Sequence, residues 1–316
     1  MSSTHSVTGA GTGVIVITIP GDRYFPEGVT VAQDGTFYVG SMYEGCIMKA
    51  PPGAKAAEPF IEAGANGLVS VLGLYADEAR GLLWACSADA GNGKLTGSAP
   101  VGIRAFDLKT GAARGRYDFP GGGFPNDLTV DDQGNVYVTD SWTPRILRLS
   151  GAHLALGTGD STLEEWVNDP QLGVEQWSLN GIDFDRDSHV IYTVNQRAGK
   201  LFRIAVEPDG SAGAVTLIST SQEVRRPDGL KVVGRNTLAT AEGGAGGMAV
   251  IRITGNTASV TRVSEGLDQV ATFAFYRGSA WIVENQADHF WDPAHAGPDA
   301  DPPFRLVEIP LNLNAN

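Results

Sequence analysis

The sequence predicts an all-β chain: a six-bladed β-propeller occupying residues 1–316 as a single domain. Three observations predict it. Four short segments share one pattern, a polar residue able to bind a metal, then Gly or Asp, then an apolar stretch. They are Phe25-Pro26-Glu27-Gly28-Val29, Phe124-Pro125-Asn126-Asp127-Leu128, Ser178-Leu179-Asn180-Gly181-Ile182 and Arg226-Pro227-Asp228-Gly229-Leu230. Each is followed by a turn and a second apolar stretch, as in Val31-Ala32-Gln33-Asp34-Gly35-Thr36-Phe37-Tyr38-Val39. The third and fourth segments lie 54 and 48 residues beyond their predecessors, and the first gap of 99 is about two such periods. A repeat of roughly 40–50 residues with several strands marks propeller blades.

In chain order, the run Val14 to Ile19 reads as a strand ahead of the first repeat at Glu27. A second repeat fills the long gap, with Val71-Leu72-Gly73-Leu74, a turn at Arg80-Gly81 and the strand Leu82-Leu83-Trp84-Ala85-Cys86. Leu72 takes the position of Glu27. The third repeat continues from Asn126 as two strands, Asn135 to Asp140 and Pro144 to Leu149, joined by a short turn. Ser161 to Val167 is expected to give one turn of helix. Leu201 to Ile204 and Met248 to Ile253 are strands of the fourth and fifth repeats. The sixth starts at Ala271-Thr272-Phe273, where Ala271 or Thr272 takes the shared position, and turns at Arg277-Gly278-Ser279. Phe304 to Ile309 closes the chain. The two terminal runs are expected in one blade, because pairing them removes exposed edges. The 41 glycines fall mostly at turns between apolar runs.

The net charge of −13 and the lack of a basic stripe argue against nucleic acid as a partner. No stretch approaches the roughly 20 apolar residues of a membrane span. The first apolar run has no basic residues before it and Pro20 after it, so it reads as a strand and not a signal peptide. Cys46 and Cys86 are too few for a disulfide framework and read as buried thiols or one bridge. A cytoplasmic protein with a small-molecule substrate is expected, with no membrane partner; these features do not specify an oligomeric state.

If each repeat is one blade, equivalent positions meet at the axis. Glu27, Asn126, Asn180 and Asp228 then form a ring of oxygens with no nitrogen or sulfur, which suits a hard cation such as calcium. Two carboxylates balance one calcium ion. Four protein ligands leave about two to four of its usual 6–8 positions for water or substrate. An open position makes the ion a Lewis acid. Turn chemistry alone places Asn, Asp and Gly at strand starts, but it does not place four donors in register. Proline precedes the segment's donor in three of the four, fixing how the chain arrives.

This pattern resembles the family of gluconolactonase and regucalcin (senescence marker protein), and more distantly diisopropyl fluorophosphatase and the paraoxonases. The resemblance spans the chain. Its most specific pieces are the Pro-Glu-Gly at Glu27, the Phe-Pro-Asn-Asp at Asn126 with Val130 to Asp140 after it, the Asn-Gly-Ile-Asp at Asn180 and the Pro-Asp-Gly-Leu at Asp228. It implies a six-bladed propeller with calcium at the axis. It implies Glu27, Asn180 and Asp228 as metal ligands, and Asn126 as a ligand or a substrate contact beside the metal. The implied activity is hydrolysis of a lactone or related ester, with Asp228 as general base toward water or, as in the phosphatases, as nucleophile. Alternatives on the same site are an organophosphate or aryl-ester hydrolase, a non-hydrolytic enzyme or a ligand-binding propeller.

Some residues depart from the family. Asn195-Gln196 stands where these lactonases tend to carry Asp, and Ala241 to Gly247 is unusually Gly-rich. Phe25, Tyr43, Phe124, Trp142 and Trp177 flank the ring segments. They either pack between blades or wall an apolar mouth, with Trp177 a substrate contact. His289, in a loop of the sixth repeat, is a candidate proton shuttle or substrate contact. His5, His153, His189 and His295 show no metal spacing. Asp183-x-Asp185-x-Asp187 lacks the Gly and the final Glu of a calcium loop and reads as a hairpin turn. Gly9-x-Gly11-x-Gly13 precedes a strand, so it is not a dinucleotide loop. No Gly-x-Ser-x-Gly elbow occurs, which disfavours a serine hydrolase.

Overall fold

The computed structural model describes residues 16–152, 162–173, 177–243, 245–291, 300–311 and 313. After β1 (Val16–Ile19) comes an antiparallel meander of β2 (Pro26–Val31), β3 (Phe37–Ser41), β4 (Ile47–Ala50) and β5 (Glu58–Ile61). A second holds β6 (Ser70–Asp77), β7 (Leu82–Ala88), β8 (Gly102–Asp107) and β9 (Ala113–Asp118). A third holds β10 (Pro125–Val130), β11 (Val136–Asp140), β12 (Arg145–Leu149) and β13 (Glu164–Asn168). Two more follow: β14 (Leu179–Asp185), β15 (Val190–Asn195), β16 (Lys200–Ala205) and β17 (Thr216–Thr220), then β18 (Pro227–Gly234), β19 (Thr237–Glu242), β20 (Gly247–Thr254) and β21 (Thr257–Ser264). The last sheet runs β22 (Val270–Tyr276), β23 (Ser279–Glu284), β24 (Phe304–Pro310) and β1.

The terminal strands share that sheet, as expected. Val16 sits opposite Val307 and Ile19 opposite Phe304. Val14 and Ile15 lie outside the described residues. The fourth and fifth meanders are not separate sheets. Ser219 pairs with Thr257 and Thr220 with Ala258 in parallel, so outer strands β17 and β21 join them into one eight-stranded sheet. Two exposed outer edges cover each other there.

Alternation along the strands explains the stacking. Val136 and Val138 of β11 pack with Leu72, Trp84 and Ile103 of the second meander. Tyr137, between them, packs with Leu179, Ile182 and Ile191 of the fourth. A strand with both faces apolar buries one on each neighbour. Similar cores lie between the fourth and fifth meanders, the fifth and sixth, and the first and second. A sixth core joins Phe25, Val29 and Phe37 to Trp281, Val283 and Phe304, closing the set into a ring. The first strands β2, β6, β10, β14, β18 and β22 contact one another in the same cyclic order. Each large side chain in these cores contributes roughly 1.5–3 kcal/mol relative to exposure. Packing, more than the two-residue parallel bridge, holds neighbouring meanders together.

One irregularity recurs in all six first strands. Their pairing skips between Pro26 and Val29, Val71 and Leu74, Pro125 and Leu128, Leu179 and Ile182, Pro227 and Leu230, and Val270 and Phe273. Each skip is a bulge of two residues, a device that re-aims side chains. Glycine takes the second bulge position at Gly28, Gly73, Gly181 and Gly229, and the next first strand crowds it. A Cβ on Gly28 would stand 2.0 Å from the Leu72 carbonyl oxygen, and one on Gly181 2.3 Å from that of Asp228. Gly181→Ala is therefore expected to destabilise the protein by about 1–3 kcal/mol in urea unfolding. An unchanged midpoint would mean that the strands have room to part.

The helical turn expected at Ser161 to Val167 is not formed. Glu164–Asn168 is the outer strand β13, paired with β12; Ser161 lies outside the described residues. Tertiary contacts override the local pattern: Trp166 packs 4.8 Å from Tyr137 and its Nε1 donates to the Gly210 carbonyl. The Asp183 segment forms its hairpin, with Asp185 accepting from the Asp187 amide and the Ser188 hydroxyl. Cys46 and Cys86 are both free thiols. No described helix is long and apolar enough to cross a membrane. His5, His153, His295 and the Gly9 to Gly13 run lie outside the described residues.

Candidate functional site

The six bulges set the site. Their first residues are Glu27, Leu72, Asn126, Asn180, Asp228 and Ala271, so the sixth shared position belongs to Ala271 and not Thr272. Glu27, Leu72, Asn126, Asn180 and Asp228 line one cavity of about 460 Å³. All four predicted donors thus come together, and Trp177 lines the same cavity. His289 does not line it. It sits in the short helix α1 (Ala287–Trp291), whose Ala287, Asp288 and Trp291 face the cavity instead.

The backbone around this mouth is strained. Phe25, Arg226 and Gln269 take φ of +45°, +46° and +46° immediately before β2, β18 and β22, and Trp177 takes +65° just before β14. Non-glycine residues in this region cost about 1–3 kcal/mol each and persist where surrounding structure over-determines them, often at functional sites. Arg226, Gln269 and Trp177 all line the cavity.

Two carboxyl oxygens, Glu27 Oε2 and Asp228 Oδ1, are buried with no hydrogen-bond partner. The other Asp228 oxygen, Oδ2, accepts from Gln196 Nε2 at 2.8 Å. Burial, then the charges of Asp228 and Asp127, hold the Glu27 carboxyl well above its ordinary range, against the pull of Lys231. Burial first and Asp127 second push Asp228 up to about 8; Arg226, Asn180 and Gln196 oppose them. A buried acceptor left unpaired costs about 1–3 kcal/mol, and such groups call for an explanation such as an ion. Two carboxylates and two amide oxygens around one cavity fit a hard cation. No cluster of three or more His, Cys, Asp or Glu that could hold a metal occurs among the described residues, so this donor set depends on its asparagines.

The raised carboxyls predict a pH dependence. A carboxyl whose folded pKa lies above its unfolded value of about 4 favours the folded state most at low pH. That contribution is lost as pH rises toward about 8. Metal-free protein is expected to melt lower at pH 8 than at pH 5, and calcium to raise the melting temperature more at pH 8. Equal calcium shifts at both pH values would show that the carboxyls are already ionised.

Three further residues of the site lie outside the ring motif's metal-binding position. Gln196 occupies the departure noted after β15 and anchors Asp228. Asp127 takes the bulge position that is glycine in four of the six repeats, and its Oδ2 lies 3.4 Å from Lys231 Nζ. Lys231 stands three residues after Asp228, level with Thr30, Tyr75, Thr129, Asp183 and Ala274 in the other first strands. The legible signals are an acidic residue where four repeats carry Gly and a basic one where no other repeat carries a cation. The aromatics divide. Phe25 and Phe124 are buried between meanders, whereas Trp142 and Trp177 are exposed.

A family model described as SMP-30/Gluconolactonase/LRE-like region matches residues 25–280. The chain belongs to this family. The SMP-30/gluconolactonase family is one of β-propellers. No curated protein sequence matches the chain. Among solved structures, this family member is similar to the major allergen Mala s 1 of Malassezia sympodialis, with a TM-score of 0.69 and 16% identity over 96% of this chain and 98% of that one. A regucalcin from Agrobacterium tumefaciens, named a calcium-binding protein, gives a TM-score of 0.63 and 15% identity over 91% and 90% of the two chains. A gluconolactonase from Xanthomonas campestris gives 0.59 and 16% over 90% and 85%. At such identities the likeness is one of fold.

Proposed function

We propose that the chain forms a single-domain, six-bladed propeller and is a calcium-dependent hydrolase that opens a lactone or related ester in this cavity. The observation that carries the reading is the pair of buried, unpartnered carboxyl oxygens beside two amides at equivalent bulges. Family membership, the calcium binding named for the Agrobacterium protein and the gluconolactonase activity named for the Xanthomonas protein support it.

Glu27, Asn126, Asn180 and Asp228 would hold the cation. When bound, it supplies polarisation of the substrate carbonyl and acidification of the attacking water. Gln196 fixes the Asp228 carboxylate through Oδ2, so that Oδ1 faces the cavity to accept a proton. A carboxylate beside a cation is a weak base, and an acidified water suits it. Water adds to the acyl carbon and gives its proton to Asp228. The ring C–O bond breaks, and Asp228 returns the proton to the released alkoxide. Leu72 and Val270 add apolar lining to the same cavity, which limits the water it holds.

The test is hydrolysis of gluconolactone, an aromatic lactone and a fluorophosphate, with calcium and after chelation. Calcium-dependent cleavage of a lactone supports the reading. Cleavage of the fluorophosphate alone moves the site to organophosphates. A melting temperature raised by calcium without turnover leaves the cation site and removes the hydrolase.

A further inference from the structure

The cavity is lined by polar side chains, among them Asn126, Gln196, Arg226 and Asp288, and by two exposed tryptophans. Five large apolar side chains are exposed among the described residues, and three are tryptophans: Trp177 at 36% and Trp291 at 37%, which line the cavity, and Trp142 at 40%, which lies against Trp177. They come from separate parts of the chain. Trp142 follows β11, Trp177 precedes β14 and Trp291 ends α1. Yet they touch: Trp177 lies 5.3 Å from Trp291 and 6.2 Å from Trp142 between ring centroids. Buried Phe124 backs Trp177 at 4.9 Å, and Phe290 backs Trp291 at 4.7 Å.

Their orientation narrows what they bind. Trp177 stands at 67° to Trp291 and 88° to Trp142. The rings therefore form a corner and not one flat platform. A corner of ring faces and edges suits an aromatic ring or a branched alkyl group. A polyhydroxylated ring in that corner would turn several hydroxyls toward indole surface that offers one N–H per ring and no acceptor, losing hydrogen bonds to water. Trp177 is also held at φ +65°, a strained backbone that fixes the ring at the mouth. A contiguous exposed apolar patch on a cavity rim marks a binding surface.

We infer that this rim receives the non-reacting part of the substrate, and that this part is aromatic or branched alkyl. The substrate class is an aryl- or alkyl-substituted lactone or ester, not a sugar lactone. The reaction rests on the hydrolase reading above; the binding does not.

The full chain with calcium is assayed on dihydrocoumarin and gluconolactone, and tryptophan fluorescence is followed with chroman, a cyclic ether of the same shape that cannot be hydrolysed. The expected kcat/KM for dihydrocoumarin exceeds that for gluconolactone at least about tenfold. Trp177→Ala and Trp291→Ala raise its KM by a similar factor with little change in kcat, and Trp177→Phe restores most of the loss. Chroman quenches the wild type and not Trp177→Ala. Preference for gluconolactone overturns the inference and leaves the hydrolase in place. Chroman quenching that depends on Trp177, without turnover of either lactone, supports the inference and removes the hydrolase. Quenching by phosphatidylcholine vesicles but not by chroman overturns it and assigns the rim to a lipid surface. Neither turnover nor quenching sinks both readings.

Discussion

Asp228→Asn is expected to lower turnover by about 10²–10⁴-fold, the usual worth of a positioned general base. The substitution keeps the shape of the side chain and one carbonyl oxygen. That oxygen can still accept from Gln196, which holds Oδ2 at 2.8 Å in the native site. What is lost is the ability to take a proton, together with one negative charge beside Glu27. Calcium affinity should fall less than turnover, because Glu27, Asn126 and Asn180 remain on the same cavity. The measurement is kcat on the best lactone alongside a calcium titration of the melting temperature. Near-native kcat in a folded, calcium-binding variant would remove Asp228 from the chemistry and leave it a ligand only.

Lys231→Met should destabilise the protein by about 3–5 kcal/mol, the penalty for leaving one member of a buried ion pair alone. Lys231 and Asp127 are 16% and 6% exposed in their side chains, so solvent cannot replace the lost partner well. Asp127 is then left beside Glu27 and Asp228, whose carboxyls its charge already pushes upward. Asp183, three residues beyond Asn180, also loses a neighbouring cation. Urea unfolding without calcium reads the effect. The double variant Asp127→Asn, Lys231→Met should recover most of the loss, because the stranded charge goes with it. A single-variant loss below about 1 kcal/mol would mean that the pair is worth no more than a surface salt bridge.

The electrostatic design of the axis follows from these two cases. One layer, at the first bulge residue, carries the carboxyls of Glu27 and Asp228 and the amides of Asn126 and Asn180, with no cationic side chain among them. The next, three residues on, carries Lys231 and the hydrogen-bonded Asp183, whose oxygens accept from Thr129 and the Val232 amide. A second cavity of about 450 Å³ opens beyond that layer, lined by Thr30, Tyr75, Asp183 and Lys231. Asp127 connects the layers. It stands in the bulge beside Asn126 and reaches Lys231 below.

The repeat and the four polar ring positions are legible in the chain before it folds. Strand alternation has a period of two, turns are written in Gly, Asp and Asn, and the motif recurs at blade spacing. Those local rules located Glu27, Asn126, Asn180 and Asp228, the terminal strands and the Asp183 hairpin. The remaining features arise from contacts that cross between repeats, which no local pattern records. Ala271 and not Thr272 takes the sixth position because of where the β22 bulge falls. Glu164–Asn168 is a strand because β12 and Tyr137 offer it an edge and a ring to pack on. Trp142, Trp177 and Trp291 lie far apart in sequence, and no periodicity links them; loops from separate meanders bring their rings into contact. The pairing of Asp127 with Lys231 spans 104 residues and exists only once the first strands converge. Composition and spacing record what each segment prefers alone, whereas burial and charge at the centre are set by all six segments together.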